Sequence, residues 1–129
     1  MGEQLVCKGI KVLVVDDVQA NIDLMKVYLE ILGCEVDCAL NGMEAIEKIK
    51  TNPYDLCLMD IMMPVMTGIE ATKIIRCDVS ENLPIVAVTG SREAENRKKC
   101  FDSGMNDYIT KPIDLEVLKI KILEHVRIL

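Results

Sequence analysis

Three aspartates, a threonine and a lysine stand where apolar stretches of the chain run out. Asp16 and Asp17 close the run from Ile10 to Val15, Asp60 closes Leu56 to Met59, and Thr89 closes Ile85 to Val88. Lys111-Pro112 follows the short stretch from Asp107 to Thr110. If one edge of a fold gathers these groups, the carboxylates repel and raise one another's pKa values unless a cation joins them. Hard oxygen ligands, with no histidine or cysteine among them, select Mg²⁺, with Mn²⁺ as a substitute. Mg²⁺ keeps several waters, which leaves a coordination position for a phosphoryl oxygen. A carboxylate is a nucleophile able to form an aspartyl-phosphate. A lysine neutralises the equatorial oxygens and a threonine hydroxyl donates a hydrogen bond to them.

The elements that would position these residues follow from periodicity. Apolar runs alternate with helical patterns five times, the signature of a parallel sheet covered by helices. Ile10 to Val15 reads as the first strand, followed by a helix with Ile22, Met25, Leu29 and Leu32 at helical spacing and Gly33 closing it. Glu35 to Leu40 is the second strand and Gly42 to Lys50 the second helix. Asn52-Pro53 turns the chain into a third strand, Asp55 to Asp60, buried on both faces. A third helix starts near Gly68, and Pro84 opens a fourth strand ending at Thr89. A fourth helix spans Ser91 to Asp102, a fifth strand Asp107 to Thr110, and a last helix Asp114 to Leu129. In open parallel sheets ligands bind at the carboxyl ends of the strands, where all five polar residues fall.

The 129 residues fit one domain, half of them apolar and 28% charged, enough for a core beneath a solvated surface. The net charge of −6 argues against direct nucleic-acid binding, which draws its affinity from basic side chains. No apolar run approaches a membrane span and Met1 to Gly9 lacks the features of a signal peptide, so a cytoplasmic location is expected. Cys7, Cys34, Cys38, Cys57, Cys77 and Cys100 contain no C-x-x-C pair and read as free, small apolar residues. His125, the sole histidine, has no His/Cys cluster around it to support it as a metal ligand.

Val14-Val15-Asp16-Asp17, Met59-Asp60 with Met63-Pro64 and Gly68, Val88-Thr89-Gly90, and Tyr108-Ile109-Thr110-Lys111-Pro112 together resemble the receiver domains of two-component response regulators. The resemblance covers Ile10 to Leu129, with Met1 to Gly9 as an N-terminal lead. It implies a flavodoxin-like three-layer α/β sandwich with a five-stranded parallel sheet of order 2-1-3-4-5 and five helices. It makes Asp60 the phosphorylated residue and Asp17 a direct Mg²⁺ ligand. Asp16 would act on the metal mainly through water, and the Met62 backbone carbonyl would be a further ligand. Thr89 and Tyr108 become a switch pair, Lys111 the phosphate-binding cation, and Lys111-Pro112 a cis bond. The implied donor is a histidine kinase or histidine phosphotransfer protein. The implied chain is no enzyme beyond catalysing its own aspartyl phosphorylation and dephosphorylation.

Other readings stay open at this point. Asp17 alone reads equally as an N-cap. A flavodoxin-like fold can hold a mononucleotide, although the acidic Asp16-Asp17-Val18-Gln19 loop repels phosphate. An aspartate-dependent phosphatase would need a D-x-D pattern after the first strand, which is absent.

For output, the fourth helix is poor in apolar residues, with Ala94, Cys100 and Phe101 as its only anchors, and its docking is expected to be weak. In the last helix, Leu115, Leu118, Ile122, Leu123, Val126 and Leu129 read as the core stripe. Val117, Ile120 and Ile128 lie on the opposite side and are expected to be exposed, equally as ordinary scattered surface residues or as a surface for an unknown effector or a phosphorylation-dependent homodimer.

Overall fold

The computed structural model describes residues 6–90 and 94–126. Strands β1 (Lys11–Val15), β2 (Glu35–Ala39), β3 (Leu56–Asp60), β4 (Ile85–Thr89) and β5 (Asp107–Thr110) alternate with helices α1 (Gln19–Ile31), α2 (Gly42–Thr51), α3 (Gly68–Asp78), α4 (Ala94–Ser103) and α5 (Leu115–His125). The sheet is parallel, in the order β2-β1-β3-β4-β5. This is the flavodoxin-like order that the sequence implies.

Strand side chains alternate between two cores, as the period of two requires. Leu13, Val15, Cys57, Met59, Ile85 and Ala87 pack on one face with Ile46 and Ile49 of α2, Ile75 of α3 and Cys100 of α4. Val12, Val14, Leu56, Leu58, Val86 and Val88 pack on the other with Ile22, Met25 and Leu29 of α1 and Leu118 and Ile122 of α5. The second core also takes in Cys7, whose N–H donates to the Leu32 carbonyl at 3.0 Å.

Local chemistry sets the helix ends. Asn41 caps α2 by accepting from the Glu44 N–H, and Asp114 caps α5 by accepting from Glu116 and Val117. Thr67 and Glu70 form a reciprocal capping box at the start of α3. At the end of α1, Gly33 takes φ 96°, the Gly33 N–H reaches the Glu30 carbonyl and the Cys34 N–H reaches the Leu29 carbonyl, which closes the helix.

The far end of α4 is held by Arg76 of α3. Its Nε donates to the Gly104 carbonyl at 2.9 Å and its Nη2 to Asn106 Oδ1 at 2.8 Å, while Asn106 Oδ1 also accepts the Ile85 N–H. Gly104 has φ 110°, and a Cβ there would lie 2.7 Å from Arg76 Cγ.

Two expected core residues lie on the surface instead. Phe101 of α4 is 44% exposed, because the buried side of the helix is filled by Cys100 and Ser103. Leu123 of α5 is 41% exposed, since Leu118 and Ile122 take the positions facing the sheet. Val117 and Ile120 are exposed as expected. The expectations for Ser91, Arg92, Glu93, Ile128 and Leu129, and for the side chains of Ala94 and Glu95, lie outside the described residues.

Candidate functional site: an acidic edge facing one lysine

β1 delivers Asp16 to the carboxyl edge of the sheet, where it is 5% exposed. Its Oδ1 accepts the Val18 N–H at 2.9 Å and Asn21 Nδ2 at 3.4 Å. The N-cap of α1 is Val18, with no side-chain cap bond, so the entry of the chain into α1 is fixed from Asp16. Asp17 is exposed and caps nothing. That removes the capping alternative: the helix begins one residue too late for it.

Asp60 ends β3 and is 6% exposed, with Oδ1 accepting the Met62 N–H at 3.1 Å. The loop beyond it bends back through Val65, a non-glycine residue at φ 70°, until the Gly68 N–H reaches the Ile61 carbonyl at 3.2 Å. A Cβ on Gly68 would sit 2.2 Å from the Asp60 carbonyl oxygen and 2.9 Å from Ile61 Cα. Only glycine permits α3 to start this close to the end of β3.

Thr89 is buried at the end of β4, and its carbonyl accepts the Lys111 N–H at 2.8 Å. This backbone bond brings Lys111 to the acidic edge. The Lys111-Pro112 peptide is cis, as the resemblance implies, and Lys111 Nζ lies 3.2 Å from Asp16 Oδ2. Tyr108 is buried in the core on the α4 side, with the Arg97 guanidinium 5.0 Å from its ring centroid. The Met62 side chain points to solvent.

One oxygen each from Asp16, Asp17 and Asp60 lie within 4.8 Å of one another. Burial pushes the Asp60 carboxyl up to about 6, and the charges of Asp16 and Asp17 add to the rise. The Met62 N–H and Lys111 oppose it. Three carboxylates facing one ammonium leave a demand for positive charge, and an all-oxygen donor set meets the requirements of Mg²⁺.

Among the described residues a second such group joins Asp107, Glu124 and His125. There His125 Nε2 already meets Asp107 Oδ2 at 2.7 Å and Lys121 Nζ meets it at 3.0 Å, so the carboxylate is neutralised within the chain. All six cysteines are free, and burial pushes Cys34 and Cys57 to about 12. No helix among the described residues is long and apolar enough to cross a membrane.

Sequence reasoning missed three contributors. The capping box of Thr67 and Glu70 was legible as T-x-x-E. Asn21 and Arg76 carry no local signature, because their partners lie across turns and elements.

Residues 12–123 match the family described as response regulator receiver domain. A sensor histidine kinase, GacS of Pseudomonas protegens, is 43% identical over 115 residues, covering 86% of this chain and 12% of that protein. The osmosensing histidine kinase SLN1 of Saccharomyces cerevisiae is 38% identical over 117 residues, with 86% and 10% covered. The chain thus spans a small fraction of the length of these curated relatives. Among solved structures, the receiver domain of a Pseudomonas aeruginosa sensor histidine kinase carries a magnesium ion in its active-site cleft. It is 31% identical, with a TM-score of 0.84 over 91% of this chain and 97% of that one. A Saccharomyces cerevisiae response regulator receiver, crystallised with its histidine phosphotransfer protein, is 35% identical, with a TM-score of 0.85 over 92% and 90%. With a matching sheet order and an acidic edge in the same fold, the chain belongs to the response regulator receiver domains, the phospho-acceptor modules of two-component phosphorelays.

Proposed function

We propose that Asp60 is the residue that takes the phosphoryl group, from a histidine kinase or histidine phosphotransfer protein, in a Mg²⁺-dependent reaction within a receiver spanning residues 10–129. One observation carries this reading: Asp60, buried and held near 6, stands within 4.8 Å of Asp16 and Asp17 while Lys111 reaches the same edge. The bound metal would supply charge neutralisation and a coordination position for a phosphoryl oxygen. Asp16, Asp17, Asp60 and the Met62 carbonyl are the residues to hold it, and Mn²⁺ fits the same donors.

Asp60 acts as nucleophile, its backbone fixed by the close passage of Gly68. Lys111 leaves Asp16 to neutralise the phosphoryl oxygens, and the Thr89 hydroxyl donates to them. Tyr108 and Thr89 relay the change as a shift between two packings. The face of α4, β5 and α5, where Phe101, Val117, Ile120 and Leu123 are exposed, receives an effector or a second phosphorylated copy. Beyond its own phosphorylation and hydrolysis the domain carries out no catalysis, and its place of action is the cytoplasm.

Acetyl phosphate with Mg²⁺ should add one phosphoryl group by intact mass, lost on chelation and in Asp60→Asn. Labelling that survives Asp60→Asn would refute the assignment.

A further inference from the structure

Asp16 is a buried acid with three donors among the described residues, and they divide between its two oxygens. Oδ1 takes the Val18 N–H at 2.9 Å and Asn21 Nδ2 at 3.4 Å, while Oδ2 takes Lys111 Nζ at 3.2 Å. Lys111 cannot stay there through the reaction if it moves to the phosphoryl group, and a 5% exposed carboxylate that loses its cation has few ways to remain oriented. On the α1 side Asn21 backs it, and beyond Asn21 lies a cavity of about 440 Å³ whose other walls include Leu24, Met25, Tyr28 and Ile113. No other described side chain on that side donates to Asp16.

We infer that Asn21 is a positioning residue of the acceptor site: its amide holds Asp16 in the orientation that serves the metal once Lys111 has been drawn away. Asn21 is half-buried in the first turn of α1, five residues after Asp16, where one helical turn aims its amide back at the carboxylate. Its bond is the longest of the three, which suits a partner that tightens when the competing lysine departs. Partners of metal-organising side chains typically account for about 10–100-fold in metal affinity. The inference rests on the reading of Asp16 as a metal-organising acid and adds Asn21 to it.

Mg²⁺ binding by isothermal titration, on the full chain without phosphodonor, provides the test. Asn21→Ala should weaken Mg²⁺ binding about tenfold at unchanged melting temperature, and Asn21→Gln, which keeps an amide donor, should recover part of the loss. In a Lys111→Met background, where Asn21 is the remaining side-chain donor, Asn21→Ala should weaken binding by a larger factor than in the wild type. Equal Mg²⁺ affinity of wild type and Asn21→Ala would overturn the inference, as would the same fold-loss in both backgrounds. A loss of affinity matched by a loss of melting temperature, with no recovery in Asn21→Gln, would also overturn it. The underlying metal reading fails separately, if Asp17→Ala binds Mg²⁺ as the wild type does.

Discussion

Lys111 Nζ lies 3.2 Å from Asp16 Oδ2, so the cation we propose for the phosphoryl group rests on an acid we propose for the metal site. The pair joins the end of β1 to the turn after β5, and it separates two kinds of loss. Lys111→Ala should lower the rate of labelling by acetyl phosphate about 10²-fold while Mg²⁺ still binds. Asp17→Ala should instead abolish Mg²⁺ binding, and labelling with it. Parallel Mg²⁺ titrations and mass-spectrometric time courses check both, and equal loss of metal affinity in the two variants would contradict the division of roles.

Asp60 titrates near 6 in the metal-free fold, against an ordinary value of 3.8. Between those values the folded chain keeps a proton that the unfolded chain has released, so stability falls as pH rises from about 4 to about 6 and then levels off. In Asp60→Asn that slope should be absent. At pH 8 the variant should be about 1–2 kcal/mol more stable than the wild type, allowing for solvent screening at the open edge. Urea unfolding in the presence of a chelator measures this. Saturating Mg²⁺ should favour the wild type and shrink the gap.

Gly68→Ala tests the packing behind Asp60. The added Cβ meets the Asp60 carbonyl oxygen at 2.2 Å, a backbone atom that cannot swing aside. The variant should lose about 2–4 kcal/mol and label slowly, because the strand end must move. Gly90→Ala is the control: a Cβ there meets nothing within 4 Å among the described residues, and stability should change by less than about 0.5 kcal/mol.

Hydrogen exchange locates the output face. With a phosphoryl mimic bound, protection should change in peptides covering residues 96–107 and 114–126, since the outward side of α4 is mostly charged and α5 has Val117, Ile120 and Leu123 exposed. Changes confined to α1 and α2 would place the face elsewhere.

The strands were legible because parallel strands buried on both faces read as unbroken apolar runs. Leu56 to Met59 and Ile85 to Val88 are buried throughout, and their carboxyl ends bring Asp60 and Thr89 to one edge of the sheet. Helix faces were harder to read. Leu123 follows Ile122 by one step of 100°, which is enough to move a side chain from core to solvent, and apolar character alone does not tell the two apart. Asp17 taken alone read equally as a cap because caps are judged by residue type, whereas the entry into α1 is set by the bonds of Asp16 across the turn. Asn21 and Arg76 belong to the same class of miss, for their partners become neighbours only after folding.

Arg76 gives α4 unequal ends. Its bonds to Gly104 and Asn106 pin the helix where it meets β5, whereas nearer the start Arg97 lies over the Tyr108 ring and Lys98 pairs with Asp102 at the exposed surface. A rod held harder at one end than along its length moves as a lever. Over ten residues, about 15 Å, a swing of about 20° would carry the opposite end some 5 Å (roughly one helical turn) while the pivot stays in place. Any swing of α4 about the joint with α3 is therefore largest toward the end that carries Arg97, and is felt there by the Tyr108 ring beneath its guanidinium.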